Sequence, residues 1–258
     1  MSKRTSVMGI LNVTPDSFSD GGHLYTDGHL DMDKVLRHVD KMIGDGADII
    51  DIGGESTRPG FEVVSVQDEI DRVTPVIENV KARFDIKISL DTYKAKTAQA
   101  GLDAGADIIN DIGMMIMDPG MKDVILQNSC EYVLVHNKEN YVNLFGDLDE
   151  ILMDLKNEGM DMSKIILDPG IGFNKTFEQN LYEIKMLPEL CKYDNPVLLG
   201  VSNKSVIGNA LNLPIGERLE GTIALSVMAV MAGVDIIRVH DVKANVRAIR
   251  MAEAVLEV

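Results

Sequence analysis

The sequence of 258 residues contains very little cysteine: Cys130 and Cys191 are its only two, and they lie far apart in the chain. It has no C-x-x-C pair and no cysteine and histidine spacing of the kind that binds zinc. These absences argue against a disulfide framework and against a structural zinc site. We therefore expect a protein of the reducing cytoplasm.

Long hydrophobic runs are also missing. The longest apolar stretch without a charge covers residues 221–234 and has 14 residues, whereas a membrane-spanning helix needs about 20. The apolar run near the N-terminus, residues 7–11, is too short for the core of a signal peptide. We expect a soluble protein with no membrane partner.

Positive charge is scarce as well, since 25 Lys and Arg stand against 41 Asp and Glu, which gives a net charge of −16. Nucleic acids and anionic membranes attract clustered basic side chains, so neither is an expected partner. A small anionic substrate is still compatible with this composition, because it needs only a local basic pocket.

Short apolar runs recur along the chain and alternate with segments of helical spacing. Near-continuous apolar runs are typical of parallel strands buried on both faces. Eight strands, each followed by a helix, in about 250 residues predict an α/β protein with the (β/α)8 TIM-barrel fold. The predicted strands are residues 7–11, 48–52, 87–90, 107–109, 132–135, 164–167, 197–199 and 235–239.

A short repeat supports this fold prediction. The pattern Gly-Ala/Val-Asp-Ile-Ile begins at Gly46, Gly105 and Gly233, each time at the start of a predicted strand. A glycine there suits the left-handed conformation that ends a helix. No linker or low-complexity tract divides the chain, so we predict a single domain over residues 1–258.

Polar side chains stand at the carboxyl end of every predicted strand. In a (β/α)8 barrel these ends meet at one rim, where the active sites of this fold lie. Any one of them could simply cap the next helix or close a loop, but lysine, arginine and histidine are poor caps. A mixed acidic, amide and basic rim predicts a site for a polar heterocycle that carries an anionic group. The residues are Asn12, Asp51, Asp91, Asn110, His136, Asp168, Ser202 with Lys204, and Arg238 with His240.

Five segments of the chain resemble the dihydropteroate synthase family: residues 12–22, residues 50–60, Asp168-Pro169-Gly170-Ile171-Gly172-Phe173, Ser202-Asn203-Lys204-Ser205, and Arg238-Val239-His240-Asp241-Val242. They run in the family's order through the whole chain. The resemblance implies a transferase of folate biosynthesis that joins 6-hydroxymethyl-7,8-dihydropterin pyrophosphate to 4-aminobenzoate. It also implies competition by sulfonamides, a bound Mg²⁺ and a homodimer.

The resemblance assigns binding of the pterin ring to Asp91, Asn110, Asp168 and Lys204. A pterin edge alternates donors and acceptors, which carboxylate, amide and ammonium groups can complement. The two carboxylates would also stabilise the positive charge that spreads into the dihydropterin as pyrophosphate leaves.

Binding of the pyrophosphate falls, by the same resemblance, to Thr57, Arg58, Arg238 and His240, with Mg²⁺ bound at Asn12. A single protein ligand suits Mg²⁺, which keeps several waters and takes phosphate oxygens. Arginine suits phosphate because its guanidinium donates two parallel hydrogen bonds.

For 4-aminobenzoate the resemblance implies a pocket lined by Phe173 and Ser202. It also implies two loops that close over the substrate and exclude water, since water would trap the reactive cation. These loops contribute Phe18, Asp20, Thr57 and Pro59.

One position departs from the family pattern, because Asn203 stands where the family usually has arginine. This departure bears on aminobenzoate contacts and sulfonamide affinity more than on pterin binding. Two alternatives remain at this stage, a pterin-binding corrinoid methyltransferase domain and a catalytically silent pterin-binding protein. Neither would need Arg58 to hold a pyrophosphate. Another phosphate-binding (β/α)8 enzyme is a third, generic alternative.

Overall fold

The computed structural model describes residues 4–14, 24–56, 63–138 and 143–258. The strands of its main sheet are β1 (Ser6–Asn12), β4 (Ile49–Gly53), β5 (Lys87–Asp91), β6 (Ile108–Asp111), β7 (Glu131–Val135), β8 (Ile165–Asp168), β9 (Leu198–Leu199) and β10 (Ile236–Val239). A small antiparallel hairpin is formed by β2 (Tyr25–Thr26) and β3 (His29–Leu30).

The α-helices of the described residues lie between the strands of the main sheet and after the last strand, with two helices in a row after β8 and after β9. They are α1 (Met32–Gly44), α2 (Val66–Arg83), α3 (Ala95–Asp103), α4 (Gly120–Asn128), α5 (Leu144–Asn157), α6 (Phe177–Lys185), α7 (Leu187–Leu190), α8 (Ser205–Leu211), α9 (Leu219–Ala232) and α10 (Val242–Leu256). Within these residues no helix combines the length and the apolar character that crossing a membrane requires.

The order of the strands identifies the fold class. Neighbours in the main sheet follow the order β8-β7-β6-β5-β4-β1-β10-β9. A parallel bridge between Leu167 of β8 and Val197, directly before β9, joins the two strands at the ends of this order. This is the (β/α)8-barrel arrangement, so the fold class predicted from the sequence is confirmed.

All eight predicted strands are present, with bounds that differ by one or two residues. One difference recurs at three strands. The aspartate of the repeat, at positions 48, 107 and 235, was predicted as the first residue of the strand, but it lies directly before the strand. Asp107 uses its Oδ2 to accept a hydrogen bond from Ile88 N at 2.9 Å, and Asp235 does the same from Val197 N at 2.9 Å. These carboxylates fasten a strand to its neighbour at the end opposite to the predicted site.

The glycines of the repeat have the backbone conformation that their positions predict. Gly46, Gly105 and Gly233 have φ angles of +102°, +111° and +97°. Only glycine adopts such angles without strain, so each repeat ends a helix and turns the chain into the next strand.

The chain divides into two compact units, Gly9–Tyr132 and Met1–Met8 with Val133–Val258. The first unit has a core that includes Ile50, Ile52, Leu90 and Ile109, all fully buried. The core of the second includes Leu134, Leu167, Leu199, Ile237 and Val239, which are also fully buried. The single domain predicted over residues 1–258 stays a prediction.

The contribution of the repeat's aspartates can be measured through stability. We expect Asp107→Ala to lower the free energy of unfolding by about 1–3 kcal/mol, because the buried Ile88 N–H loses its acceptor. Urea unfolding of the variant checks this. Asp85→Ala, at an exposed position just before β5, is the control, and an equal loss in both variants would contradict the assigned role.

Candidate active site

In the first unit, two predicted site residues border a gap beside a glycine. Asn12 ends β1 and Asp91 ends β5, while Gly53 ends β4. A Cβ atom on Gly53 would lie 3.5 Å from Asn12 Oδ1 and 3.7 Å from Asp91 Cβ. The missing side chain therefore leaves space that an amide oxygen and a carboxylate border, both of them hard oxygen ligands.

Asn110 of β6 carries a buried acceptor in the same unit. Its Nδ2 donates to both carboxylate oxygens of Asp51, at 3.4 Å each. Its Oδ1 is buried and has no hydrogen-bond partner among the described residues. Since buried polar atoms are almost always satisfied, this amide is suited to a bound ring that supplies an N–H group.

Asp168, at the end of β8, is the buried carboxylate of the second unit, with 5% of its surface exposed. Its Oδ1 accepts from Gly170 N at 2.7 Å. Burial raises the pKa of Asp168, while the positive charges of Lys204 and Arg238 act to lower it. A Cβ on Gly200 would lie 3.7 Å from Asp168 Oδ2 and 3.8 Å from Arg238 Cδ. The carboxylate is thus poorly solvated and close to two cations.

Lys204, assigned to the pterin, and Phe173, assigned to 4-aminobenzoate, are neighbours. The ammonium of Lys204 donates to the carbonyl oxygen of Ile171 at 2.5 Å. It also lies 4.5 Å from the centroid of the Phe173 ring, a cation–π distance. The lysine is therefore held over the ring at the turn that follows Asp168.

Ser202 and His240 are joined directly. Ser202 Oγ accepts from the backbone N–H of His240 at 3.2 Å and lies 2.9 Å from His240 Nδ1. The serine hydroxyl therefore fixes both the backbone and the imidazole that follow β10. The arrangement couples a residue assigned to aminobenzoate with one assigned to pyrophosphate.

Helix capping does not account for the strand-end residues. The helices that follow β4, β8 and β10 are capped by Ser65, Thr176 and Asp241. Lys204 occupies the cap position of α8, but its side chain makes no capping hydrogen bond. The capping alternative raised by the sequence therefore fails at these positions.

The residues predicted on the two loops lie outside the described residues. They are Phe18, Asp20, Thr57, Arg58 and Pro59.

Sequence reasoning missed a buried charge network next to the second of these loops. Glu55 accepts from Val64 N at 2.8 Å, and Lys94 Nζ lies 2.5 Å from Glu55 and 2.7 Å from Glu69. Tyr93 OH donates to the other oxygen of Glu55 at 2.9 Å. Burial acts to lower the pKa of Lys94, but its bonds to the two glutamates outweigh burial and raise it. The network ties together the chain on both sides of residues 57–62.

A second group that the sequence did not single out surrounds His136. Lys175, just before α6, donates from Nζ to the carbonyl oxygen of His136 at 2.7 Å. The imidazole Nε2 lies 3.1 Å from Asp147 Oδ2. Burial first, and the charge of Lys175 next, lower the pKa of His136 to about 4. The pair with Asp147 is therefore a hydrogen bond from a neutral imidazole at pH 7.

The chain matches the pterin binding enzyme family over residues 8–240. It is 48% identical over 263 residues to the dihydropteroate synthase of Clostridium beijerinckii, an alignment that covers 99% of this chain and 96% of that protein. The chain belongs to the dihydropteroate synthase family. The predictions of family, fold class and transferase function in folate biosynthesis are thus confirmed.

Solved dihydropteroate synthases have the same fold. The Yersinia pestis enzyme in a sulfonamide drug complex has a TM-score of 0.91 and 40% identity, with 99% of this chain and 95% of that chain covered. The Xanthomonas albilineans enzyme with 4-aminobenzoic acid has a TM-score of 0.90 and 38% identity, with 99% and 94% covered.

The state of His136 is testable by NMR. We expect its imidazole to titrate near pH 4 rather than near 6.5, because burial disfavours the charged form. Since folding lowers this pKa, the contribution of His136 to stability is present above pH 6.5 and is lost as the pH falls from 6.5 towards 4. Asp147→Asn should lower the pKa further, since Asp147 acts to raise it. An imidazole that titrates at its ordinary pKa would contradict the account.

Proposed function

We propose that different strand-end side chains carry out three tasks in dihydropteroate synthesis: recognition of the pterin, departure of pyrophosphate and positioning of 4-aminobenzoate. The observation that carries this proposal is the buried Asp168 carboxylate, which lies near the cations Lys204 and Arg238. A desolvated carboxylate is suited to a cationic heterocycle, and adjacent cations are suited to a leaving anion.

In this proposal the pterin ring is recognised by Asp91, Asn110, Asp168 and Lys204. Support comes from the buried Oδ1 of Asn110, which has no hydrogen-bond partner among the described residues. The carboxylates accept from ring N–H groups, and the lysine donates to a ring acceptor.

The reaction breaks the bond between the pterin methylene carbon and the pyrophosphate oxygen, and the electron pair leaves with pyrophosphate. The amine nitrogen of 4-aminobenzoate then forms the new C–N bond and releases a proton to solvent. Asp91 and Asp168 stabilise the positive charge that grows on the dihydropterin meanwhile. An aromatic amine is already neutral at pH 7, so the chain need not supply a strong base.

Departure of pyrophosphate is assigned to Arg238 and His240, with Thr57 and Arg58 as further ligands. The residues present fit Mg²⁺, because Asn12 Oδ1 and the Asp91 carboxylate border the gap beside Gly53. Asn12 would hold the ion, and Mg²⁺ when bound would neutralise charge on the pyrophosphate oxygens.

The 4-aminobenzoate site is assigned to Phe173 and Ser202, with the loop residues Phe18, Asp20, Thr57 and Pro59. We propose that sulfonamides compete at this site. Asn203 has a left-handed backbone with a φ of +58°, and its carbonyl oxygen accepts from Arg218 Nη1 at 2.9 Å. Asparagine tolerates this conformation better than most residues, which supports a local backbone role for the departure from arginine.

A homodimer is proposed through helices α9 and α10, which pack against each other. Together they expose five large apolar side chains. The exposed fractions are 52% for Met228, 67% for Met231, 63% for Met251, 62% for Val255 and 52% for Leu256. Clustered apolar surface of this kind marks association surfaces.

A cytoplasmic location is proposed as well. Neither Cys130 nor Cys191 forms a disulfide, in keeping with a reducing compartment. From the net charge we still expect that the protein acts on small-molecule substrates and that it binds neither nucleic acid nor a membrane.

The direct test is an assay with dihydropterin pyrophosphate, Mg²⁺ and radiolabelled 4-aminobenzoate. We expect labelled dihydropteroate, and we expect Asp168→Asn to lower kcat/KM by about 100-fold through loss of transition-state stabilisation. Asp194→Asn, at an exposed position, is the control. A folded wild-type protein that binds pterin but gives no product would be a silent binding protein, and this result would overturn the proposal.

The proposed dimer has its own test. We expect Met228→Glu with Met231→Glu to convert a dimer of the wild type into a monomer, because charges at a buried apolar contact oppose association. Light scattering after size-exclusion chromatography measures the mass. Met153→Glu, equally exposed on α5 at 61%, is the control. A wild type that is monomeric would refute the dimer.

A further inference from the structure

Lys175 is a buried lysine that has no role in the reaction as proposed above. Its side chain is 1% exposed. Its ammonium donates to three backbone carbonyl oxygens, at 2.7 Å to His136, 3.2 Å to Gly170 and 3.4 Å to Phe173. The carboxylate of Glu183, itself buried, lies 3.9 Å away. A buried ammonium is costly unless it is fully engaged, so these contacts hold it at one place.

The carbonyls that Lys175 binds belong to the turn from Gly170 to Phe173 and to the end of β7. The same turn holds two residues assigned to the pterin. The N–H of Gly170 donates to Asp168 Oδ1 at 2.7 Å, and the carbonyl of Ile171 accepts from Lys204 Nζ at 2.5 Å. The conformation of the turn therefore sets the positions of a carboxylate and an ammonium.

The two glycines of the turn, Gly170 and Gly172, have little space for a side chain. Gly170 has a φ of +70° and Gly172 a φ of +87°. A Cβ on Gly170 would collide with the carbonyl oxygen of His136, the same oxygen that Lys175 binds. A Cβ on Gly172 would press on Lys204 Cδ at 3.1 Å. The turn is packed against β7 on one side and against Lys204 on the other.

Asn180 of α6 fixes the turn from a second point. Its Oδ1 accepts from Gly172 N at 2.6 Å, and its Nδ2 donates to the carbonyl of Thr176 at 2.7 Å. Asn180 and Glu183 are both buried, so α6 directs polar side chains inward where a helix of this kind usually buries apolar ones. Lys175 thus binds the carbonyl oxygens at both ends of the turn, Gly170 and Phe173, while Asn180 binds the N–H of Gly172 between them.

We propose that Lys175, with Asn180, is a positioning residue for pterin recognition, which holds the turn at residues 170–173 so that Asp168 and Lys204 present their charged groups in binding geometry. The proposal rests on the proposed function, because that function assigns these two residues to the pterin. Lys175 itself contacts backbone carbonyls and is not placed against substrate.

The test compares full-length variants of the chain. Lys175→Met removes the donors at similar length, Lys175→Arg keeps the charge and the donors, and Asn180→Ala removes the second support. Lys185→Met, at the exposed end of α6, is the matched control. The dissociation constant of 6-hydroxymethylpterin is measured by calorimetry, with KM and kcat from the dihydropteroate assay and the unfolding midpoint from circular dichroism.

We expect Lys175→Met to weaken pterin binding by about 10- to 100-fold, because the displaced Asp168 and Lys204 would lose a hydrogen bond to a charged group, and a loss on this scale is typical of such bonds. Lys175→Arg should recover part of the loss, and Lys185→Met should bind like the wild type. Asn180→Ala should weaken binding in the same direction, and its effect should not add to that of Lys175→Met, since both act on one turn.

A merely structural role predicts a different pattern. In that case the variants have lower unfolding midpoints, but the folded protein binds pterin and turns over as the wild type does, which would overturn the proposal. If Lys175→Met fails to fold, Asn180→Ala and Lys175→Arg decide the matter by the same measurement. A wild type that binds pterin without forming product refutes the proposed function alone, because pterin binding by the variants still tests the positioning role.

Discussion

The strands of the sheet are buried on both faces, and this constraint decides where chemistry can occur. A residue inside such a strand faces packed side chains, so a polar group there has no solvent and few partners. Polar side chains emerge where a strand ends, as at Asp91, the last residue of β5, and Asp168, the last residue of β8. The opposite strand ends carry aspartates as well, but Asp107 and Asp235 are committed to backbone N–H groups. One end of the strands is therefore structural, and the other carries the side chains that we propose for binding.

Charges buried beside the strand ends are held by backbone atoms as much as by other charges. Lys175 binds three carbonyl oxygens, and Lys94 binds the carbonyl of Val64 together with two glutamates. Backbone groups cannot change rotamer, so they fix the lysines more firmly than mobile side chains could. In both places the lysine joins the loops that follow two different strands. Such preorganised surroundings favour electrostatic catalysis, because little reorganisation accompanies the reaction.

The fold and the strand-end residues were predictable because their signals are local. Apolar runs, the glycine repeat and the polar residue after each run can all be read within a few positions. Lys175 and Lys94 gave no such signal, since a lysine in a sequence usually indicates a solvated surface. Their partners lie 39 residues away along the chain, His136 in one case and Glu55 in the other. The left-handed backbone at Met114 and Met115 was unpredictable for a different reason, since methionine rarely adopts this conformation. Asp111 holds that turn by accepting from Gly113 N and Met115 N.

The proposed function depends most on recognition of the pterin by Asp168 and Lys204, which the turn at residues 170–173 positions. A crystal structure of the protein with bound 6-hydroxymethylpterin tests it most directly. The account predicts that a ring N–H donates to the Asp168 carboxylate and that the Lys204 ammonium donates to a ring acceptor, with the turn unchanged. A pterin bound elsewhere, or bound here without contact to either residue, would contradict it.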